Sequence, residues 1–167
     1  MTKIAIVTGA SRGFGRGTAR ILASEAGYKV YATARTQSAL QSLQKEVAES
    51  NAAGEVIPVV LDQSDDEAVA AFVRRVSASE EKIDLLVNSA YAGLIAMTPH
   101  FGKPFWERPI SVFDGSMDIG VRGAYVMSAL VAPAMVKAKN GLIVQISSYG
   151  GFAYVFAPSP QRVDQNL

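Results

Sequence analysis

The stretch with the most chemical content is Thr8-Gly9-Ala10-Ser11-Arg12-Gly13-Phe14-Gly15. It follows the apolar run Ile4-Ala5-Ile6-Val7 and opens a segment in which Ala19, Leu22, Ala23 and Ala26 recur at helical spacing. A strand, a glycine turn and a helix are therefore predicted in that order. Glycines in such a turn have separate uses: one tightens it, one lets the backbone approach a pyrophosphate, and one brings the helix close to the strand. The phosphates would rest on the positive end of the helix. Three residues separate Gly9 from Gly13 and one separates Gly13 from Gly15, which is not the commoner one-then-two spacing. Glycines of this kind can also serve a tight turn and nothing more. The strand before and the helix after favour a dinucleotide site, with Gly9, Ser11, Arg12, Gly13, Phe14 and Gly15 as its backbone and side chains.

The end of the second strand bears on which dinucleotide. An NAD site usually carries an acid there for the ribose hydroxyls. Here the run Val30 to Ala34 is followed by Arg35, and no acid is present. A guanidinium binds phosphate through two parallel hydrogen bonds, so Arg35 and Arg12 fit a 2′-phosphate. Both could equally be solvated surface residues. Together with the missing acid they favour NADP(H) over NAD(H).

Other chemistries are thinly supplied. With no cysteine and one histidine, the chain has no thiolate site, and neither a multi-histidine metal site nor a histidine-based triad is expected; the lone loop residue His100 reads as structural or solvated. Asp65-Asp66-Glu67 looks metal-like but stands at a predicted helix start, where acids favour the dipole. Phe101, Phe105 and Trp106 could line a substrate pocket, although packing of their long loop onto the domain is the better reading.

Short apolar runs alternating with amphipathic segments must position these residues, and that pattern predicts βαβ units and a parallel sheet. Strands are expected at Ile4 to Val7, Val30 to Ala34, Val56 to Leu61, Ile83 to Val87 and Leu142 to Ile146. Gly27 is a good terminator for the first helix. Ser38 with Gln41 and Ser64 with Glu67 read as capping boxes opening the next two. Ser89 to Pro109 is a Gly/Pro/aromatic loop, long enough to be functional. A helix follows from near Ser111 to Lys139, its regularity interrupted by Gly115, Gly120 and Gly123.

The chain has 167 residues, 49% of them hydrophobic and 19% charged, with a net charge of +1. One domain of ordinary globular composition is expected. Without a basic stripe there is no electrostatic footprint for nucleic acid or an anionic membrane. Met1-Thr2-Lys3 leads straight into a strand, so no targeting segment is expected, and no apolar run approaches the about 18 residues of a membrane span. A cytoplasmic protein is the expectation.

Several linked motifs resemble the short-chain dehydrogenase/reductase family. The turn from Thr8 to Gly15 is similar to its cofactor loop, Leu61-Asp62 to its adenine-contacting acid, and Asn88-Ser89-Ala90 to the element that steadies the sheet beside the cofactor. Ile146-Ser147-Ser148 is similar to the strand end that carries its catalytic serine. Val87 to Gly93, Phe105 to Glu107, Gly120 to Gly123 and Gly141 to Val144 resemble one branch of the family. The resemblance implies a Rossmann-type doubly wound parallel sheet over residues 1–157, with a polar tail at 158–167. It implies hydride transfer between a nicotinamide and a carbonyl or alcohol carbon of a small molecule, with Asp62, Asn88 and Ala90 at the cofactor and Ser148 on the substrate oxygen. It also implies a homodimer in the full-length family, through the helix before the fifth strand, leaving Ala129, Leu130, Ala132 and Met135 exposed in a single shortened chain.

Two family positions are not matched. The tyrosine and lysine of the family's Tyr-x-x-x-Lys pair would fall at 160 and 164, where this sequence has Pro160 and Asp164. None of Tyr28, Tyr31, Tyr91, Tyr125, Tyr149 and Tyr154 has a lysine four residues on. Gly120 also stands where most of the family has an asparagine. The expectation is a sheet truncated after the fifth strand in a chain that is inactive by itself. Its alternatives are a non-catalytic cofactor-binding module and an inert fragment.

Overall fold

The structure, a computed structural model, describes residues 2–148. Its first strand, β1 (Ile4–Thr8), is buried at every position. Sheet order explains this: β2 (Lys29–Ala34) pairs with one side of β1 and β4 (Leu85–Asn88) with the other, both in parallel. Outside these lie β3 (Glu55–Val60) and β5 (Leu142–Gln145), giving the order β3-β2-β1-β4-β5. The chain runs from β1 outward through β2 to β3, then crosses back to β4. The strand order therefore reverses between β1 and β4, and the carboxyl ends of those two strands border a crevice.

Alternation along β1 sends side chains to two separate cores. Ile4 and Ile6 face α3 (Asp66–Ser79), meeting Val69, Phe72, Val73 and Val76. Ala5 and Val7 face α1 (Gly13–Ser24) and α2 (Gln37–Glu49), meeting Ala19, Ala23, Leu40, Leu43 and Val47. Small residues on the second face let α1 lie close to the sheet. Helices thus cover both faces of the parallel sheet, as expected for a doubly wound fold.

The capping boxes are not formed. Helix α2 starts one residue before Ser38, and its cap residue Thr36 makes no side-chain bond to the helix. At α3 the cap is Asp65, whose carboxylate accepts from the Ala68 amide at 3.0 Å. Ser64 turns away and donates to Asp62 at 2.7 Å. A charged acceptor one residue nearer the helix displaces a hydroxyl from the capping position.

The loop after β4 contains α4 (Gly93–Met97) and two single turns, Thr98–His100 and Phe105–Glu107. Phe105 and Trp106 meet edge to face at 5.2 Å but stay 78% and 65% exposed, so they do not pack the loop onto the domain as expected. The next helix is continuous from Ile110 to Ala138 but changes character midway. It comprises α5 (Ile110–Ser116), a π-helical segment (Met117–Gly123) and α6 (Ala124–Ala138). The π segment ends at Gly123 and includes Gly120, which places the expected irregularity.

An 18-residue window of this 29-residue helix has a mean hydropathy of 1.5, so by length and composition alone the helix is long and apolar enough to cross a membrane. Small residues and few charges raise the average without forming an unbroken run. In the fold, Met127, Val131 and Met135 of α6 enter the core beside α3. Met135 is therefore buried, not exposed as expected. It packs so closely on Gly141 that a side chain there would stand 2.5 Å from its Cγ. The exposed large apolar residues of the helix from Ile110 to Ala138 are Ile110, Phe113, Met117, Val121, Tyr125 and Val136.

Candidate cofactor site

The glycine turn is built by close approach on two sides. Gly9 has φ +68°, and a Cβ there would lie 2.8 Å from both Ala90 Cα and Ser89 O. Gly15 lies against the turn itself, where a Cβ would stand 2.5 Å from Gly9 O. Gly13 has φ +56° with nothing within 4 Å, so its requirement is conformational and the space beside it is open. The Thr8 hydroxyl, 1% exposed, accepts from the Ser89 and Ala90 amides at 3.0 Å each. Ala10 donates its amide to Thr33 O at 3.0 Å. The turn is thereby tied to β4 by Thr8 and to β2 by Ala10.

Helix α1 opens from this turn with no side-chain cap and no acid in its first turn. Helix α3 differs, since Asp65 caps it and Asp66 and Glu67 follow. The amide end of α1 thus has no side-chain acceptor of its own, the arrangement that suits an anion. Nearby cations divide in the same way. Arg16 is committed, donating to Ala39 O at 2.9 Å and pairing with Glu46 at 2.7 Å. Arg12 and Arg35 are exposed, and among the described residues neither enters an ion pair.

Arg35 at the end of β2 and Asp62 just beyond β3 come together. The Asp62 carboxyl is held below the ordinary aspartate range, first by the Ser64 amide at 2.9 Å, then by the Ser64 hydroxyl, then by the Arg35 charge. It is a fixed anion at the outer end of the crevice. Ser11 is half-buried in the turn, and Phe14 is 82% exposed over the start of α1.

On the other side of the crevice Asn88 is 2% exposed. Its Nδ2 donates to Ser128 Oγ at 2.9 Å and to Ala124 O at 3.4 Å, while its Oδ1 is buried without a partner among the described residues. Gln63, 6% exposed, donates to Gly123 O at 3.0 Å. Gly123 and Ala124 mark the junction of the π segment and α6, where the hydrogen-bond step changes and side chains meet the carbonyls. Two buried amides, one beyond β3 and one ending β4, therefore fix this junction over the sheet.

Ser148 is exposed three residues beyond β5, which is held level with β4 by the Ile146 amide on Asn88 O at 3.0 Å. Positions 160 and 164, with Tyr149, Tyr154 and the tail, lie outside the described residues. The structure brings Gly9, Gly13, Gly15 and Ala90 together and sets Arg35 beside Asp62. Sequence reasoning missed the clamp of Thr8 and the anchor of Gln63. Thr8 was visible as the first residue of the turn, but nothing in the sequence marks Gln63.

A crevice at the reversal of a parallel sheet, floored by a glycine turn, defines a Rossmann-type nucleotide-binding fold. A profile of the short chain dehydrogenase family matches residues 3–160, and the chain belongs to that family. It is 40% identical over 155 residues to dehydrogenase/reductase SDR family member 1 of Mus musculus, covering 92% of this chain and 49% of that protein. The Homo sapiens protein of the same name gives the same identity and coverage. The chain thus spans about half the length of the curated relatives it matches. Among solved structures it resembles a metagenomic short-chain oxidoreductase in complex with NADP. That match has a TM-score of 0.80 and 35% identity, covering 92% of this chain and 65% of the other. It also resembles a putative NAD(P)-dependent gluconate 5-dehydrogenase from Beutenbergia cavernae with bound NADP. There the TM-score is 0.76 with 29% identity, covering 90% and 56% of the two chains.

Proposed function

We propose that this chain is the NADP(H)-binding part of a short-chain oxidoreductase that moves hydride between the nicotinamide and a carbonyl or alcohol carbon of a small molecule. The observation that carries the reading is the pair of glycine seats, Gly9 and Gly15, at the open amide end of α1, where any side chain would collide with backbone. In this reading the backbone of Gly9, Ser11, Gly13, Phe14 and Gly15 holds the pyrophosphate. Arg12 and Arg35 take the 2′-phosphate, and Asp62, braced by Ser64, meets the adenine. Asn88 and Ala90 keep the crevice in shape, and Ser148 offers its hydroxyl to the substrate oxygen. Support comes from the NADP held by two of the structural relatives.

The bound cofactor supplies or accepts the hydride. Proton transfer needs a group of suitable pKa, and a free tyrosine titrates near pH ~10, too high without a neighbouring cation. With Pro160 and Asp164 at the family's tyrosine and lysine positions, the 167-residue chain binds cofactor without turning over a substrate.

Titration with NADPH and NADH, followed by nucleotide fluorescence, tests this directly. Charged hydrogen bonds contribute about 1.5–3 kcal/mol each, so NADPH should bind roughly 10- to 100-fold more tightly, and Arg35→Ala should remove most of that ratio. Equal or tighter binding of NADH overturns the NADP assignment, and binding of neither overturns the site. Reduction of a carbonyl compound by the chain alone overturns the statement that it does not turn over.

A further inference from the structure

Tyr91 follows Ala90, whose backbone lies against Gly9, so it emerges at the carboxyl end of β4 beside the glycine turn. Its ring occupies a seat made by two glycines. A Cβ at Gly120 would lie 2.8 Å from Tyr91 Cδ2 and 3.2 Å from Cε2. A Cβ at Gly93 would lie 2.6 Å from Cζ and would also collide with the phenol oxygen and with Ser116 Oγ. The phenol oxygen is 3.3 Å from Ser116 Oγ. Ser116 gives its single proton to Val112 O at 3.0 Å, so between these two hydroxyls the phenol is the donor. Its proton is committed, and its oxygen presents acceptor lone pairs from a side chain that is 51% exposed.

Topology says what would meet that acceptor. If the pyrophosphate lies on the glycine turn and the adenosine half runs over β2 and β3 toward Arg35 and Asp62, the other half must run over β4 and β5. The last registered pair is Asn88 with Gln145, so Tyr91 and Ser148 each lie three residues past the paired carboxyl ends of β4 and β5. The nicotinamide half carries ribose hydroxyls and a carboxamide NH2, which are the donors an acceptor at this place would take.

We propose that Tyr91 is a cofactor-positioning residue whose phenol oxygen accepts a hydrogen bond from the nicotinamide half of the dinucleotide, and that position 120 is glycine to seat its ring. The proposal rests on the NADP(H) reading above, and two probes separate the two. NADPH contains both halves, whereas adenosine 2′,5′-bisphosphate contains only the adenosine half and the 2′-phosphate. Both are titrated against the 167-residue chain by calorimetry. Tyr91→Phe keeps the ring and should weaken NADPH roughly 2- to 12-fold, the range for one neutral hydrogen bond. The bisphosphate should bind as before, which also reports an intact fold. Gly120→Ala should weaken NADPH in the same selective way by displacing the ring, and because both changes remove the same hydrogen bond the double variant should lose less than the sum of the two single losses. Unchanged NADPH binding by Tyr91→Phe overturns the proposal, as does an equal loss for both probes. Binding of NADPH by Gly120→Ala at wild-type strength overturns the seating role. If the unaltered chain binds neither probe, the NADP(H) reading itself falls and takes this proposal with it.

Discussion

Replacing Gly9 by alanine should cost more stability than replacing Gly13, although both lie in the left-handed region at φ +68° and +56°. An L side chain enters that region at about 1–2 kcal/mol, a cost common to both variants. Only at Gly9 does the new methyl meet neighbours, at 2.8 Å from Ala90 Cα and Ser89 O and 2.9 Å from Ala90 N. These are backbone atoms and cannot rotate away. Relief would require Ser89 and Ala90 to withdraw from Thr8 and give up two hydrogen bonds of 3.0 Å. Overpacking of this kind adds about 1–3 kcal/mol, for a total of about 2–5 kcal/mol in Gly9→Ala against about 1–2 in Gly13→Ala. With a urea slope of about 2 kcal/mol/M, the midpoint should fall by about 1–2.5 M in the first and about 0.5–1 M in the second. Urea unfolding followed by far-UV circular dichroism measures both. A loss in Gly13→Ala as large as in Gly9→Ala would refute the reasoning, as would a Gly9→Ala chain within about 0.5 kcal/mol of the original.

Other consequences are as specific. Burial works to raise the Asp84 carboxyl, but the Ile4 amide at 2.9 Å, Lys82 and Asn140 outweigh it and hold it below the ordinary aspartate value of 3.8. Its stabilisation is therefore full above the unfolded carboxylate's range and is lost as pH falls through the lower folded value. Asp84→Asn should cost about 2–4 kcal/mol at pH 7, and its urea midpoint should converge with the original's in acid; a gap that widens in acid would reverse the sign. Gln63→Ala should cost about 1–3 kcal/mol by leaving Gly123 O buried without its donor, and a thermal melt unchanged from the original would discount that anchor. Among the described residues β5 pairs only with β4 and carries Leu142 at 58% exposure. Leu142→Lys should raise the monomeric fraction of the 167-residue chain in size-exclusion chromatography, because a charge on an exposed strand edge opposes edge-to-edge pairing.

The sequence by itself determined what depends on neighbours along the chain. Short apolar runs located the strands and helical spacing the main helices, and the turn from Thr8 to Gly15 was legible because its conformation needs glycine wherever it occurs. The charge at the end of β2 was equally plain, since Arg35 follows directly from Ala34. Helix starts were less legible. Ser38 and Ser64 have capping-box spacing, yet Asp65 supplies the stronger acceptor at α3 and Thr36 precedes α2, so competition between adjacent candidates decided each case.

What only the tertiary structure decided depends on residues far apart in sequence. Strand order set β4 beside β1, and that brought Ala90 against Gly9 across 81 positions, turning a flexible glycine into an obligatory one. The same juxtaposition put the Thr8 hydroxyl under the Ser89 and Ala90 amides. It also let Gln63 and Asn88 reach the carbonyls at the end of the π segment. Met135 was expected at the surface and is buried because Gly141 admits it, and Tyr91 has its seat because Gly93 and Gly120 lack side chains. Local pattern reports a residue's face and conformation, whereas steric exclusion and hydrogen-bond completion depend on which distant backbone stands opposite, and packing alone chooses that.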